Sequence, residues 1–216
     1  MKIAIVGAGK VGKALGASFV RAGYSVVYAS TSVANSTKAA EAAGGTAAGS
    51  VREAAEGAEI VVIAVPYAAA ARQVAMELAP VVGDKIVIDA TNTLKPDYSG
   101  LATGDGPSGA ELLAAVLPGA RVVKAFNTLF AANQGNPRAL GTTLDALYAT
   151  DDAEAHATFA ALASSIGFRP VSVGPLAAAR ELEAMAWLNI RLQLLSNGSW
   201  QTAYVMVAPP AVATAA

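Results

Sequence analysis

The sequence contains no cysteine, and this absence removes several kinds of chemistry at once. Without thiols the chain has no disulfide framework, no thiolate metal site and no cysteine nucleophile. Histidine is almost as scarce, since His156 is the only one. No second residue stands at a metal-ligand spacing from His156, so we expect it on a solvated helix face and predict no metal centre.

Charged residues are also few, at 14% of 216, and the net charge is −1. A protein that binds nucleic acid by neutralising phosphates needs an excess of basic residues, so we expect no nucleic-acid partner. The charge is unevenly distributed, because residues 1–40 hold five basic residues and no acidic one. Near a phosphate-binding loop, that bias fits a cofactor with more than the usual number of phosphates.

Long apolar runs are missing as well. The run at 60–71 is about a dozen residues, too short to span a bilayer. Met1 leads directly into strand-like sequence, so we expect no cleavable leader. These features predict a cytoplasmic protein with no membrane partner.

The most informative stretch is the opening one, where a short apolar run, 2–6, leads into Gly7-Ala8-Gly9-Lys10-Val11-Gly12 and then a helix-like segment. A glycine pattern of this kind between strand and helix is typical of dinucleotide binding. Gly7 permits the tight turn, Gly9 lets the backbone approach a pyrophosphate, and Gly12 lets helix and strand pack closely. The helix then presents free N–H groups and its positive dipole end to the phosphates.

The residues after the second strand indicate which dinucleotide is preferred. An acidic residue about 20 positions beyond the glycines would accept the ribose 2′-hydroxyl of NAD and repel a 2′-phosphate. Ser30, Thr31 and Ser32 stand there instead. Their hydroxyl groups favour NADP over NAD, and the same residues can also cap the next helix.

Strand and helix patterns alternate along the chain, which predicts an α/β fold with a Rossmann-type, doubly wound, mostly parallel sheet. Strands are expected at 2–6, 24–29, 46–48, 60–65, 85–89, 121–125, 144–149 and 169–173. Helices are expected at 10–22, 33–43, 68–78, 109–117, 151–166 and 176–195, with Pro80 closing the third and a further helix capped by Ser50 and Glu53. The binding domain is 1–174, and 175–216 is a short helical extension for packing or dimerisation, because it is apolar nearly all round.

Open α/β sheets bind ligands at the carboxyl ends of their strands. Val65, Pro66 and Tyr67 follow one central strand, Asn92 follows the next, and Asn127 follows the one after. We expect all five around the nicotinamide half of the cofactor. Tyr67 and Asn127 are the candidates for orienting the reacting groups, while an ordinary boundary aromatic and a turn residue are the alternatives for Tyr67 and Asn92.

Taken together, these residues resemble the NADP oxidoreductases that depend on the deazaflavin coenzyme F-420, from Met1 to about Asn197. The resemblance rests on the glycine loop, Ser30, Pro66 with a following aromatic, Ser108 to Glu111, Thr128, and Gly174-Pro175-Leu176 leading to Arg180, Glu183 and Leu188-Asn189-Ile190.

This resemblance implies a small, often dimeric, Rossmann domain that moves a hydride between NADPH and a deazaflavin. It implies that Ala8 to Val11 face the pyrophosphate, Ser30 and Thr31 the 2′-phosphate, and Pro66 and Tyr67 the nicotinamide half. A flavin-like acceptor suits strand-end residues that include no evident acid or base, because such a ring delocalises charge.

Two other functions stay open. One is an imine or ketone reductase, in which Tyr67 or a residue of the 94–107 loop donates the proton. The other is an NADP-binding sensor that never turns over its cofactor.

Overall fold

Eight strands form one sheet in a computed structural model that describes residues 1–207, with only the backbone of residues 68 and 69. The strands are β1 Lys2–Val6, β2 Ser25–Ala29, β3 Thr46–Ala47, β4 Ile60–Ile63, β5 Ile86–Asp89, β6 Arg121–Ala125, β7 Asp145–Ala149 and β8 Arg169–Ser172. Their order is β3-β2-β1-β4-β5-β6-β7-β8. All neighbouring pairs are parallel except β6 and β7. The predicted doubly wound α/β fold is confirmed.

Helices connect these strands and cover both faces of the sheet. They are α1 Lys10–Arg21, α2 Val33–Ala43, α3 Val51–Glu56, α4 Arg72–Val82, α5 Gly109–Val116, α6 Ala131–Gly135, α7 Ala153–Ser165 and α8 Ala179–Ser196. A π-helical turn, Tyr67–Ala71, precedes α4, and a 3-10 turn, Leu176–Ala178, precedes α8. Within residues 1–207 no helix is both long and apolar enough to cross a membrane.

The core has two large parts because a doubly wound sheet buries both faces. Ile3, Ile5 and Phe19 belong to the cluster on one face, whereas Ala4, Val6 and Leu78 belong to the cluster on the other. The alternation within β1 follows from the period of two in a strand. It is why β1 is apolar from Ile3 to Val6.

Several predicted boundaries are wrong in instructive ways. Pro80 does not close its helix, which continues to Val82. Pro80 has no N–H to donate to the carbonyl four residues earlier, so the helix continues with one hydrogen bond fewer. Strand β4 ends at Ile63 and not at the predicted residue 65, so Ala64 and Val65 already lie in the connection to the π-helical turn. The short helix α6 had no prediction at all.

The two predicted capping boxes differ. At Ser108 both halves form, since Ser108 Oγ accepts from the Glu111 N–H and the Glu111 carboxylate accepts from the Ser108 N–H at 2.7 Å. At Ser50 only the first half forms. The Glu53 carboxylate accepts instead from the Gly49 N–H at 2.7 Å, one residue earlier in the chain.

The segment after α8 packs back against the domain. The Asn133 amide donates to the carbonyl of Gln201 at 2.8 Å, and Gln193 donates to the hydroxyl of Thr202 at 2.8 Å. The main-chain N–H of Met206 donates to Asp145 at 2.6 Å. The structure describes the predicted extension 175–216 as far as residue 207, and the remainder lies outside the described residues.

Tyr28 provides a pH-dependent test of this packing. Its side chain is fully buried, its hydroxyl has no hydrogen-bond partner within residues 1–207, and its ring lies against Gly16. Burial raises the pKa of Tyr28 to about 12. A pKa raised in the folded state means that the stabilisation is complete below pH 10, the unfolded value, and is lost as pH rises towards 12.

We therefore expect the free energy of unfolding of the wild-type protein to fall by about 2 kcal/mol more than that of Tyr28→Phe between pH 10 and pH 12. At pH 7 the variant should be as stable as wild type or more stable, because it removes an unpaired buried hydroxyl. Urea unfolding across this pH range measures both differences. Parallel curves for the two proteins would contradict the prediction.

Candidate cofactor site

The candidate site is a cleft at the carboxyl edge of the sheet, divided by the loop between β1 and α1. On one side lies a cavity of about 510 Å³, here called the Thr31 half, and on the other a cavity of about 430 Å³, called the Tyr67 half. Both are lined by Gly9, Ala64, Val65 and Pro66. The dividing loop is therefore positioned to touch the middle of a ligand that fills both halves.

The three glycines of this loop differ in what a Cβ at each would meet. Gly7 has φ +121°, and a Cβ there would overlap the carbonyl of Ala64. A Cβ at Gly12 would overlap the carbonyl of Gly7. A Cβ at Gly9 would meet nothing, because it would point into open space beside the cleft. Gly7 and Gly12 thus maintain the turn, and Gly9 leaves room for a ligand.

The Thr31 half takes one wall from β2 and α2 and the other from α3 and α4. Its polar lining consists of Ser30, Thr31, Asn35, Ser50, Gln73 and Glu77. Ser30 Oγ donates to the carbonyl of Ser32 at 2.8 Å and lies 3.0 Å from Ser36 Oγ. Thr31 is exposed, whereas Ser32 is the N-cap residue of α2 and makes no side-chain capping bond.

The Tyr67 half is lined by residues that follow the three strands β1, β4 and β5. They are Lys10, Val11, Tyr67, Ala90, Thr91, Asn92, Leu94, Lys95, Pro96 and Tyr98, beside the four shared residues. Lys10 and Lys95 are exposed. Asn92 therefore lines the wall, as the sequence indicates, and the 94–107 loop contributes the rim.

Asn127 lies behind this wall. It is 4% exposed, and its amide donates to Asn92 Oδ1 at 3.0 Å and to the carbonyl of Leu182 at 3.0 Å. In return, Asn92 donates to the Asn127 carbonyl at 3.1 Å. The preceding residue, Phe126, adopts φ +63° and is fully buried against Phe159 and Phe168. Such packing can maintain a backbone conformation that costs energy in a residue other than glycine.

Two polar atoms near the Tyr67 half have no partner within residues 1–207. They are Thr91 Oγ1 and Asn127 Oδ1, both buried. Buried polar atoms are normally hydrogen-bonded. Thr91 lines the Tyr67 half, whereas Asn127 lies behind its wall, so of the two it is the Thr91 hydroxyl that belongs to a residue lining the space that a ligand could fill.

Beneath the Tyr67 half lies a buried group of charges that sequence reasoning missed. Lys124 Nζ is 2.9 Å from Asp89 Oδ2 and 3.0 Å from Glu183 Oε1, and it donates to the Thr91 carbonyl at 2.7 Å. The three side chains are 0%, 0% and 1% exposed. We call Asp89, Lys124 and Glu183 the ionic cluster. Its members come from β5, β6 and α8, and this separation along the chain explains why no local pattern predicts it.

The ionic cluster and burial alter the pKa values nearby. Burial alone would lower the pKa of Lys124, but the adjacent carboxylates of Asp89 and Glu183 outweigh it and raise that pKa. Burial raises the pKa of Tyr67, and the negative charges of Glu183 and Asp89 raise it further. Tyr67 is therefore a neutral hydroxyl and a weaker acid than a free tyrosine.

His156 is half-buried, and its Nδ1 lies 3.2 Å from the hydroxyl of Tyr148. Within residues 1–207 no three His, Asp or Glu side chains are grouped to hold a metal ion. The residue lies on α7, apart from both halves of the cleft.

Over residues 2–93 the chain matches a family model described as NADP oxidoreductase, coenzyme F420-dependent. The match covers 92 of the 216 residues, and it contains the glycine loop and the residues that line both halves of the cleft as far as Asn92.

Two solved structures are similar over most of their length. A candidate F420-dependent NADP reductase from Arthrobacter sp. FB24 shares 26% identity, with a TM-score of 0.83, over 92% of this chain and 96% of that one. A hypothetical protein from Sinorhizobium meliloti shares 32% identity, with a TM-score of 0.72, over 83% and 87%. The likeness thus extends well beyond the nucleotide-binding half.

Metalloreductase STEAP3 of Rattus norvegicus is 37% identical over 109 residues. Those residues are 50% of this chain but only 21% of the rat protein, so the chain spans about a fifth of that relative.

The glycine contacts predict that binding and folding can be separated by two matched substitutions. Gly9→Ala should leave the free energy of unfolding within about 0.5 kcal/mol of wild type, because the new methyl meets no protein atom. It should weaken NADPH binding at least tenfold, because the methyl would occupy space that a pyrophosphate at this loop would need.

Gly12→Ala should instead destabilise the fold by about 1–3 kcal/mol, because its methyl overlaps the Gly7 carbonyl. Urea unfolding and NADPH fluorescence titration measure the two effects. Equal loss of stability in both variants, or tight NADPH binding by Gly9→Ala, would be inconsistent with this geometry.

Proposed function

We propose that this protein binds NADPH across the cleft and transfers a hydride from it to a deazaflavin or another flavin-like acceptor. The family match supports the class of reaction. The observation that carries the choice of acceptor is the wall of the Tyr67 half, where Tyr67, Thr91 and Asn92 are uncharged hydrogen-bonding groups.

NADPH fits the Thr31 half better than NADH does. Ser30, Thr31 and Asn35 line the β2 and α2 wall and include no carboxylate that would repel a 2′-phosphate. Glu77 lines the opposite wall, from α4, where the Gln73 amide donates to it at 3.3 Å. The adenosine phosphate would therefore face hydroxyl and amide groups. Gly7 to Gly12 would hold the pyrophosphate at the start of α1.

A carbonyl or imine substrate requires a proton as well as a hydride. The raised pKa of Tyr67 makes it a poor proton donor. The ionic cluster does not supply one either, because Lys124 is fully buried and surrounded by three oxygen atoms. A flavin-like ring needs less help of this kind, since it delocalises charge and mainly has to be held face to face with the donor.

The bound cofactor supplies the hydride, and the residues of the Tyr67 half supply orientation. Tyr67 and Pro66 would form the wall against which the nicotinamide packs. Asn92 would bond its edge or ribose, with Asn127 fixing Asn92 from behind through their reciprocal hydrogen bonds. In this interpretation Asn127 is a positioning residue, because it acts through Asn92.

Anaerobic stopped-flow mixing of the NADPH-loaded protein with coenzyme F-420, FMN and FAD tests the proposal. We expect the absorbance of NADPH at 340 nm to disappear in a single turnover with at least one of these acceptors. If the protein binds NADPH but oxidises it with none of these acceptors, the proposed activity is wrong and a cofactor-binding sensor is favoured.

The runner-up function is imine or ketone reduction, supported by the position of Tyr67 and Lys95 at the same cavity. Tyr67→Phe and Lys95→Gln separate the two functions. If a flavin-like ring is the acceptor, each variant should transfer hydride within about threefold of the wild-type rate, because neither side chain gives up a proton. A fall of about 100-fold or more in either variant would indicate a proton donor and favour the runner-up.

We also propose that the protein is a homodimer through α8. Leu188, Leu192, Leu194 and Leu195 are 50%, 49%, 52% and 75% exposed, an unusual density of large apolar side chains on one helix end. Sedimentation velocity should give a dimer at micromolar concentration, and Leu192→Glu with Leu195→Glu should give a monomer. A wild-type monomer at 100 μM would contradict this.

A further inference from the structure

The ionic cluster contains more negative than positive charge. Lys124 Nζ is surrounded by Asp89 Oδ2, Glu183 Oε1 and the Thr91 carbonyl, which match the three protons of an ammonium group. Because Nζ has only oxygen neighbours here, the lysine is protonated.

Both carboxylates are ionised for a complementary reason. Asp89 Oδ1 accepts from the Thr91 N–H at 2.9 Å, and its Oδ2 faces Lys124. Glu183 accepts from the Thr93 hydroxyl at 2.8 Å and from the Gly109 N–H at 3.0 and 3.2 Å, besides facing Lys124. Each carboxylate oxygen therefore faces a donor, which leaves no place for a carboxyl proton. The ionic cluster carries a net charge of −1.

A net buried charge costs free energy unless something compensates it. One carboxylate would be enough to neutralise Lys124, so the second is not needed to pair the lysine. The first turn of α5 offsets part of the excess, because the N–H of Gly109 and the helix dipole face Glu183. The remaining negative potential extends into the surroundings of the ionic cluster.

Those surroundings include the Tyr67 half. Thr91, which lines that half, has both main-chain groups bonded to the ionic cluster, its N–H to Asp89 and its carbonyl to Lys124. A Cβ on Gly109 would lie 2.8 Å from Tyr67 Cε2 and 3.1 Å from Glu183 Oε1, so the ring of Tyr67 and the carboxylate are close neighbours. The ionic cluster is thus one layer of residues from the cavity.

We propose that the ionic cluster makes the Tyr67 half selective for the oxidised, positively charged nicotinamide over the neutral reduced ring. This inference rests on the proposed function, which puts the nicotinamide in that half. Hydride transfer breaks a C–H bond of the reduced ring, gives both bonding electrons and the hydrogen to the acceptor, and leaves one positive charge on the nicotinamide. A buried negative charge nearby stabilises that charge, so the bound cofactor becomes a stronger hydride donor.

The test compares dissociation constants for the two redox states, which requires no turnover. Glu183→Gln keeps the size of the side chain and an oxygen acceptor, but it neutralises the ionic cluster. We expect the ratio of Kd for NADP⁺ to Kd for NADPH to rise by about three- to tenfold. Isothermal titration calorimetry measures the first constant and NADPH fluorescence the second.

Glu181→Gln is the matched control, because Glu181 is an exposed carboxylate on the same helix, two residues away. It makes the same change in charge and should leave the ratio within about 1.5-fold of wild type, since solvent screens exposed charges. Glu183→Asp retains the charge and should also retain the ratio.

Asp89→Asn tests the same charge from another strand and should shift the ratio in the same direction. If thermal unfolding shows that Glu183→Gln does not fold, Asp89→Asn provides the test instead. The wild-type protein needs no substitution, and we expect it to bind NADP⁺ more tightly than NADPH. The reverse order in wild type, or a ratio unchanged in both folded variants, would overturn the inference.

These outcomes are separate from those of the acceptor experiment. Oxidation of NADPH by a flavin-like acceptor with no change of ratio in Glu183→Gln would remove the electrostatic role and leave the proposed function intact. A shifted ratio with no oxidation by any acceptor would do the opposite. Failure of both redox states to bind would remove both proposals.

Discussion

The close approach of α1 to the end of β1 determines where everything else in the cleft can lie. A Cβ at Gly12 would overlap the Gly7 carbonyl, so only a glycine lets the helix start directly above the strand. Because of this approach, the first N–H groups of α1 lie between two cavities of similar size. An extended ligand with phosphates at its centre and a ring at each end suits that arrangement.

The second constraint is the ionic cluster, which joins the three elements that form the back of the Tyr67 half. Lys124 on β6 bonds to Asp89 on β5 and faces Glu183 on α8, and Glu183 in turn accepts from the start of α5. The extension after residue 174 is therefore not an appendage. Its helix contributes a carboxylate to the floor beneath the cavity, and the Leu182 carbonyl on the same helix bonds Asn127. The shape of the cavity and the packing of α8 therefore depend on shared contacts.

The strand and helix pattern was predictable because it depends on local chemistry. The apolar run before Gly7 and the helix beginning at Lys10 are specified by residues within a dozen positions of one another. The same holds for Ser108 and Glu111, whose reciprocal bonds start α5 as expected. Asn92 was expected at the cleft because carboxyl ends of parallel strands share one edge, a rule that needs strand positions and no side-chain detail. The errors, such as the helix end near Pro80, concern boundaries that local propensity determines weakly.

The sequence by itself determined the doubly wound sheet, the glycine turn and the hydroxyl residues after β2, because each is specified by spacing along one short stretch of chain. Only the tertiary structure decided that Asn127 lies behind Asn92, and that Asp89, Lys124 and Glu183 meet beneath Tyr67. The physical reason is that a buried charge is tolerated only beside its partners. Here Asp89 and Lys124 are 35 residues apart in the sequence, and Glu183 comes from α8. No local pattern records such a meeting, which depends on how β5, β6 and α8 pack.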